Sequence, residues 1–289
     1  MGGCFFLRAR STSFFTLHHS SMNTWTDEEH ASVNEALETA FQTLQNHIAA
    51  AEQEGQIVFV KEHALTLVDP FLWSQCAFGP DAIAGIERRV ESTPRSPLNI
   101  TTMPDEFLKT WKPTFLIQHP AVMLPSLYRT RQLDFEMEGV KPRLKREPLP
   151  VETTLKWNRT LYEFYAVHFG ADSLWPIVLD ADDIMTSPEL LAKYAKLVGL
   201  DPDGLCFAWN RANEEELNTM LRDRKIMRAF LCASSRIDIS KVAGNIDIDA
   251  EAVKWRAEFG EEGGRKLEGW VRSMMPDYLA LHAKRLKLE

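Results

Sequence analysis

The chain of 289 residues has no excess of basic charge: 33 Lys and Arg against 41 Asp and Glu leave a formal net charge of −8. A polynucleotide backbone asks for a basic face that releases its counterions, so no nucleic-acid partner is expected. The four cysteines, Cys4, Cys76, Cys206 and Cys232, are far apart and form no CxxC pair. Neither a zinc site nor a disulfide framework is signalled, no metal is expected, and a reducing, cytoplasmic setting fits best. No apolar run approaches the roughly 18 residues of a membrane span, so no membrane partner is expected. Internal repeats, low-complexity tracts and a GxxxxGK[ST] phosphate loop are all missing.

What is present begins with an odd opening. Residues 1–25 hold Arg8, Arg10, His18 and His19 and no acid. The composition suits a presequence as well as a ragged start to the chain. Gly2 and Cys4 hint at acylation, but Phe6 stands where a myristoylation signal carries Ser or Thr. These residues are expected to form an irregular segment, followed by one domain over 26–289 with a helical subregion over about 205–289.

Thr26 and Glu29 have capping-box spacing. Val33, Leu37, Ala40, Phe41, Leu44, Ile48 and Ala51 then recur every three or four residues until Gly55, which predicts an amphipathic helix of about seven turns. "IVFV", residues 57–60, follows as an apolar strand. Residues 69–103 are rich in Pro, Gly and Ser and read as an irregular excursion with short helical pieces. Thr114 to Gln118 predicts a second strand and Ile177 to Leu179 a third. The charged stretch 131–150 should be exposed. Helices are expected over 155–168, closed by Gly170, and from Ser187 and Pro188 to Gly199. A further helix is expected from Asn213 to about Cys232, and two more helical segments from Asp249 to the end.

Helices alternating with continuous apolar strands predict the α/β class, a three-layer parallel sheet with flanking helices and a helical C-terminal part. In such sheets ligands gather at the carboxyl ends of the strands. Lys61, Glu62 and His63, then Gln118 and His119, then Asp180, Asp182 and Asp183 stand at those ends and are expected to converge on one crevice. Lys61 and His63, two apart on an extended chain, point to the same side, and Glu62 points away. An imidazole takes a proton from a hydroxyl, and a neighbouring ammonium neutralises charge on a departing oxygen. That pairing suits group transfer from a nucleotide. The strand-end acids of "LDADD" are equally the pattern of a magnesium site and of plain solvated carboxylates, the second being commoner.

At these residues the chain resembles a known family. The cytosolic sulfotransferases, which use 3′-phosphoadenosine 5′-phosphosulfate, carry Lys-Thr-His after one strand, and Arg-Asn-Pro followed by Ser, eight residues past the Arg, after the next. Lys61, Glu62 and His63 resemble the first motif; Gln118, His119, Pro120 and Ser126 resemble the second. From about Trp25 to Glu289 the chain is also similar to a fungal family of sulfotransferase-like P-loop proteins met near natural-product genes. "FVKEHA", "RSPLN", "PDEFLKTW", "PTFLI", "HPA", "LDADD" and "MPDY" carry that likeness. The resemblance implies His63 as general base toward a small-molecule hydroxyl or amine, Lys61 as the aid to the leaving group, and Ser126 as a contact to the 3′-phosphate.

Two departures qualify the inheritance. Gln118 stands where the family has the phosphate-binding Arg, replacing a charge-assisted contact by a neutral one. Arg129, three residues past Ser126 on a similar helical face, is the candidate substitute. The phosphate loop has no good counterpart either. Phe5 to Leu7 as a strand stub with Arg10, Ser11, Thr12 and Ser13 as a loop lacks both the proline and the glycine that lets backbone approach phosphate. The chain is therefore expected to begin downstream of the loop's position in that family. A second reading follows, a non-catalytic scaffold or binding protein that has lost its nucleotide. A kinase or hydrolase on the same fold lacks its Walker lysine. The sequence leaves the acceptor and the oligomeric state open.

Overall fold

The computed structural model describes residues 4–86, 95–132, 147–213, 215 and 234–288. Its helices in chain order are α1 (Phe5–Thr12), α2 (Phe14–His19), α3 (Asp27–Gln53), α4 (Ala64–Leu67), α5 (Pro70–Phe78) and α6 (Asp105–Leu108), then α7 (Pro120–Gln132), α8 (Lys156–Phe169), α9 (Ala181–Thr186), α10 (Pro188–Leu197) and α11 (Ile248–His282). Two strands, β1 (Thr114–Ile117) and β2 (Ile177–Asp180), make the class mixed α/β. The chain divides into two compact units, Met1–Pro113 with Leu149–Pro176, and Thr114–Pro148 with Ile177–Glu289. The expected helix from Asn213 to Cys232 lies outside the described residues for most of its length, as does 133–146 of the charged stretch.

In the first unit local chemistry sets the helix ends. The Thr26 hydroxyl accepts from the Glu29 amide at 3.2 Å and the Glu29 carboxylate accepts from the Thr26 amide at 2.8 Å, so α3 opens on a closed capping box. Its buried face is Val33, Leu37, Ala40, Leu44 and Ala51, and Gly55 beyond its end takes φ +65°. Removing a leucine such as Leu44 from water contributes about 1.5–3 kcal/mol. Asp69 caps α5 through the Phe71 amide, with Pro70 at the first helical position. In α8 Trp157, Leu161, Phe164 and Tyr165 turn inward, and Gly170 follows it at φ +80°.

Two expectations are corrected here. Residues 5–19 are helical, not irregular: α1 packs on α3, with the Phe5 and His47 rings 5.5 Å apart. Ser13 is buried and its amide bonds back to the Ala9 carbonyl. The stretch 10–13 is therefore neither a loop nor preceded by a strand. Secondly, Ile57–Val60 is not a strand. Among the described residues its backbone finds no partner, and Ile57 and Phe59 are 69% and 60% exposed. An apolar run becomes a strand only where a second stretch of backbone lies alongside.

The second unit holds the sheet. β1 and β2 pair in parallel, Thr114 opposite Ile177 through to Ile117 opposite Asp180. Every residue of β2 is buried, as expected for a parallel strand covered on both faces, whereas Leu116 of β1 is 55% exposed. Asp180 caps α9 through the Asp182 amide, and the Ser187 hydroxyl with Pro188 opens α10. α11 starts at a capping Asp247 and breaks at Gly260, where φ is +77°. Its two arms, 248–259 and 261–282, fold back antiparallel: Arg256 reaches Glu268 at 2.5 Å and Arg272 meets Asp249. A Cβ on Gly264 would stand 2.5 Å from the Arg256 backbone nitrogen, so only glycine lets the arms approach this closely. Gly263 and Gly264 thus lie on the inside of a helical hairpin. Among the described residues no helix is long and apolar enough to cross a membrane.

Candidate functional site

The tripeptide 61–63 belongs to the first unit, just ahead of α4. Its side chains alternate as an extended chain requires. The Lys61 ammonium nitrogen lies 2.6 Å from His63 Nε2, and both side chains reach the surface. Crowding by protein, and after it the Lys61 charge, pushes the His63 imidazole below its ordinary value of 6.5. The pair offers a neutral base beside a cation.

Glu62 turns the other way. One carboxylate oxygen accepts from the Phe6 amide at 3.0 Å and the other from the Thr66 hydroxyl at 3.3 Å. α1 has no acid in its first turn and no side-chain cap of its own, so Glu62 supplies the negative charge at its N-terminus. Burial pushes the carboxyl above its ordinary 4.5 against the opposing pull of the amide bond. Sequence reading had no role for Glu62 beyond its direction; the alternation that turned it away from His63 was the available signal.

The motif residues of the second unit surround the start of α7. Gln118 is partly exposed and its side chain makes no hydrogen bond among the described residues, while Ser126 lies exposed on the helix. His119 closes the helix N-terminus: its Nδ1 accepts from the Ala121 amide at 3.1 Å, and its carbonyl accepts from the Val122 and Met123 amides. With Pro120 lacking a donor, the first turn has no amide left for an anion. Arg129 is engaged as well, its Nε and Nη2 reaching the two Glu258 carboxylate oxygens at 2.5 and 2.7 Å, with its guanidinium over the Phe259 ring.

The strand-end acids of β2 are all occupied. Asp180, 2% exposed, accepts from the Tyr278 hydroxyl at 3.0 Å; Asp182 accepts from the Ala243 and Gly244 amides at 2.9 and 2.8 Å; Asp183 pairs with Arg285 at 2.8 Å. They tie distant chain to β2 and are not solvated ends. Among the described residues no three His, Cys, Asp or Glu side chains are placed to hold a metal ion. Tyr278, His282 and Arg285, whose rings and charges meet at this end of β2, went unassigned in the sequence except through the "MPDY" likeness.

The whole chain aligns with two fungal proteins. One is "Sulfotransferase ppzF" of Metarhizium majus (strain ARSEF 297), 40% identical over 303 residues and covered to 88% of its length. The other is "Sulfotransferase ppzF" of Metarhizium rileyi (strain RCEF 4871), 40% identical over 299 residues and covered to 87%. No family profile and no solved structure matches the chain. Likeness of this depth from one end to the other means that the chain belongs to the sulfotransferase-like family of these fungal proteins.

Proposed function

We propose that the protein transfers a sulfuryl group from 3′-phosphoadenosine 5′-phosphosulfate to a hydroxyl or amine of a small molecule, in the setting of fungal secondary metabolism. The carrying observation is the Lys61 ammonium 2.6 Å from His63 Nε2, on residues that resemble the sulfotransferase base and its lysine. The new bond forms between sulfur and the acceptor's oxygen or nitrogen as the bond from sulfur to the bridging phosphate oxygen breaks. His63 takes the acceptor's proton, and Lys61 meets the charge that develops on the leaving oxygen. Ser126 and Gln118 are the proposed contacts to the 3′-phosphate, both neutral. Arg129 adds charge only by exchanging Glu258 for phosphate. The proposed architecture is a three-layer P-loop-type sheet, and the proposed compartment is the cytoplasm, where the free thiols of Cys4, Cys76 and Cys206 are at home.

Replacing His63 by Ala is expected to lower kcat by about 10²–10⁴. Adenosine 3′,5′-bisphosphate should still bind the variant by calorimetry. Normal turnover by His63→Ala would dispose of the base assignment. A second reading is supported by the occupied amides of α7 and by the Arg129–Glu258 pair: a binding protein of the same family without nucleotide affinity. Absence of any heat with the bisphosphate at millimolar concentration would favour it.

A further inference from the structure

We propose that Lys61 holds His63 out of service as a base until a sulfuryl donor draws the ammonium away. The inference rests on the reading of these two residues as the transfer pair. An ammonium has three donors and no acceptor, so at 2.6 Å it is the imidazole that accepts, through the Nε2 lone pair. Neutral His63 therefore carries its proton on Nδ1. That tautomer is the one a base acting through Nε2 requires, but the lone pair is already committed.

The arrangement of partners makes the hold reversible. Among the described residues Lys61 has no carboxylate within ion-pair distance, and its hydrogen-bond partner is a neutral nitrogen. Glu62, the adjacent acid, is committed to the Phe6 amide and the Thr66 hydroxyl. An anionic oxygen adds to the ammonium's hydrogen bond a charge–charge attraction that a neutral imidazole nitrogen does not offer. The anionic bridge of a sulfuryl donor thus outcompetes the imidazole for Lys61. Its arrival places the cation on the leaving oxygen and releases Nε2 in the same movement. The base becomes available only with the donor in place, so an acceptor or a water is not deprotonated ahead of it.

The test compares the wild-type protein with Lys61→Met, with His63→Gln used to assign the His63 signals. In ¹⁵N-histidine NMR above neutral pH, wild-type His63 is expected as the Nδ1–H tautomer with an acceptor-shifted Nε2. In Lys61→Met it relaxes toward the Nε2–H form that a free imidazole favours. Diethyl pyrocarbonate, which attacks through a free imidazole lone pair, should modify His63 about threefold to tenfold faster in Lys61→Met, the factor for one hydrogen bond of ordinary net strength. Adding 3′-phosphoadenosine 5′-phosphosulfate to the wild type should raise its rate to that of the variant. An unchanged tautomer and rate in Lys61→Met would overturn the hold. A donor that binds by calorimetry yet leaves the wild-type rate at its resting value would overturn the release. No heat of donor binding would count against the transferase reading, and the Lys61→Met comparison would still decide the hold.

Discussion

A side chain's neighbours decide what its charge does, and His63 and Glu62, adjacent in the chain, show two opposite outcomes. The His63 imidazole is held below 6.5 first by crowding and then by Lys61. A lowered value keeps the neutral, proton-accepting form populated into more acidic solution. If His63 is the base, the acid limb of kcat/KM therefore falls below 6.5, and activity is lost only as pH drops through the lowered value. In Lys61→Met the limb should move upward, though not fully back to 6.5, because the larger cause remains. A pH–rate profile of both proteins reads the position of the limb independently of its height. A wild-type limb at or above 6.5 would refute the expectation. Glu62 shows the opposite displacement, raised by burial, and its use is to cap a helix.

Among elements, the decisive links in the second unit run through polar side chains at the end of β2. The Tyr278 hydroxyl on the second arm of α11 donates to Asp180, which also receives the Asp182 amide as the cap of α9. One buried carboxylate thus joins a strand, a short helix and the C-terminal hairpin. Tyr278→Phe leaves the ring contacts with His119 and His282 in place but strips one donor from a buried anion. A loss of about 1–3 kcal/mol is expected in urea unfolding with an unchanged slope. A variant as stable as wild type would show that water replaces the hydroxyl at no cost. The Arg129–Glu258 pair, exposed on both sides, is worth at most about 1 kcal/mol, so its importance is to occupy Arg129 and not to hold the fold.

For the molecule as a whole, the surface at residues 57–59 carries large apolar side chains that neither unit buries. Such exposure favours self-association. The double substitution Ile57→Lys with Phe59→Lys removes no buried contact, so stability should stay within about ±0.5 kcal/mol. Light scattering at high protein concentration should fall markedly. A large drop in melting temperature would mean instead that these side chains are packed in solution.

The amino-acid sequence by itself determined where α3, α8 and α10 begin and end. Thr26 with Glu29, Ser187 with Pro188, and Gly55, Gly170 and Gly199 mark boundaries through bonds and dihedrals that span only a few residues. It also located both observed strands and the opposed directions of Lys61, Glu62 and His63. Only the tertiary structure decided whether Ile57–Val60 had backbone to pair with, and that Glu62 would cap α1. It alone showed that Glu258 would claim Arg129 and that Gly263 and Gly264 would lie inside a hairpin. The reason is range. A helix closes its bonds four residues away, within reach of composition and spacing, whereas a strand, a buried carboxylate or a guanidinium takes its partner from chain tens or hundreds of residues distant.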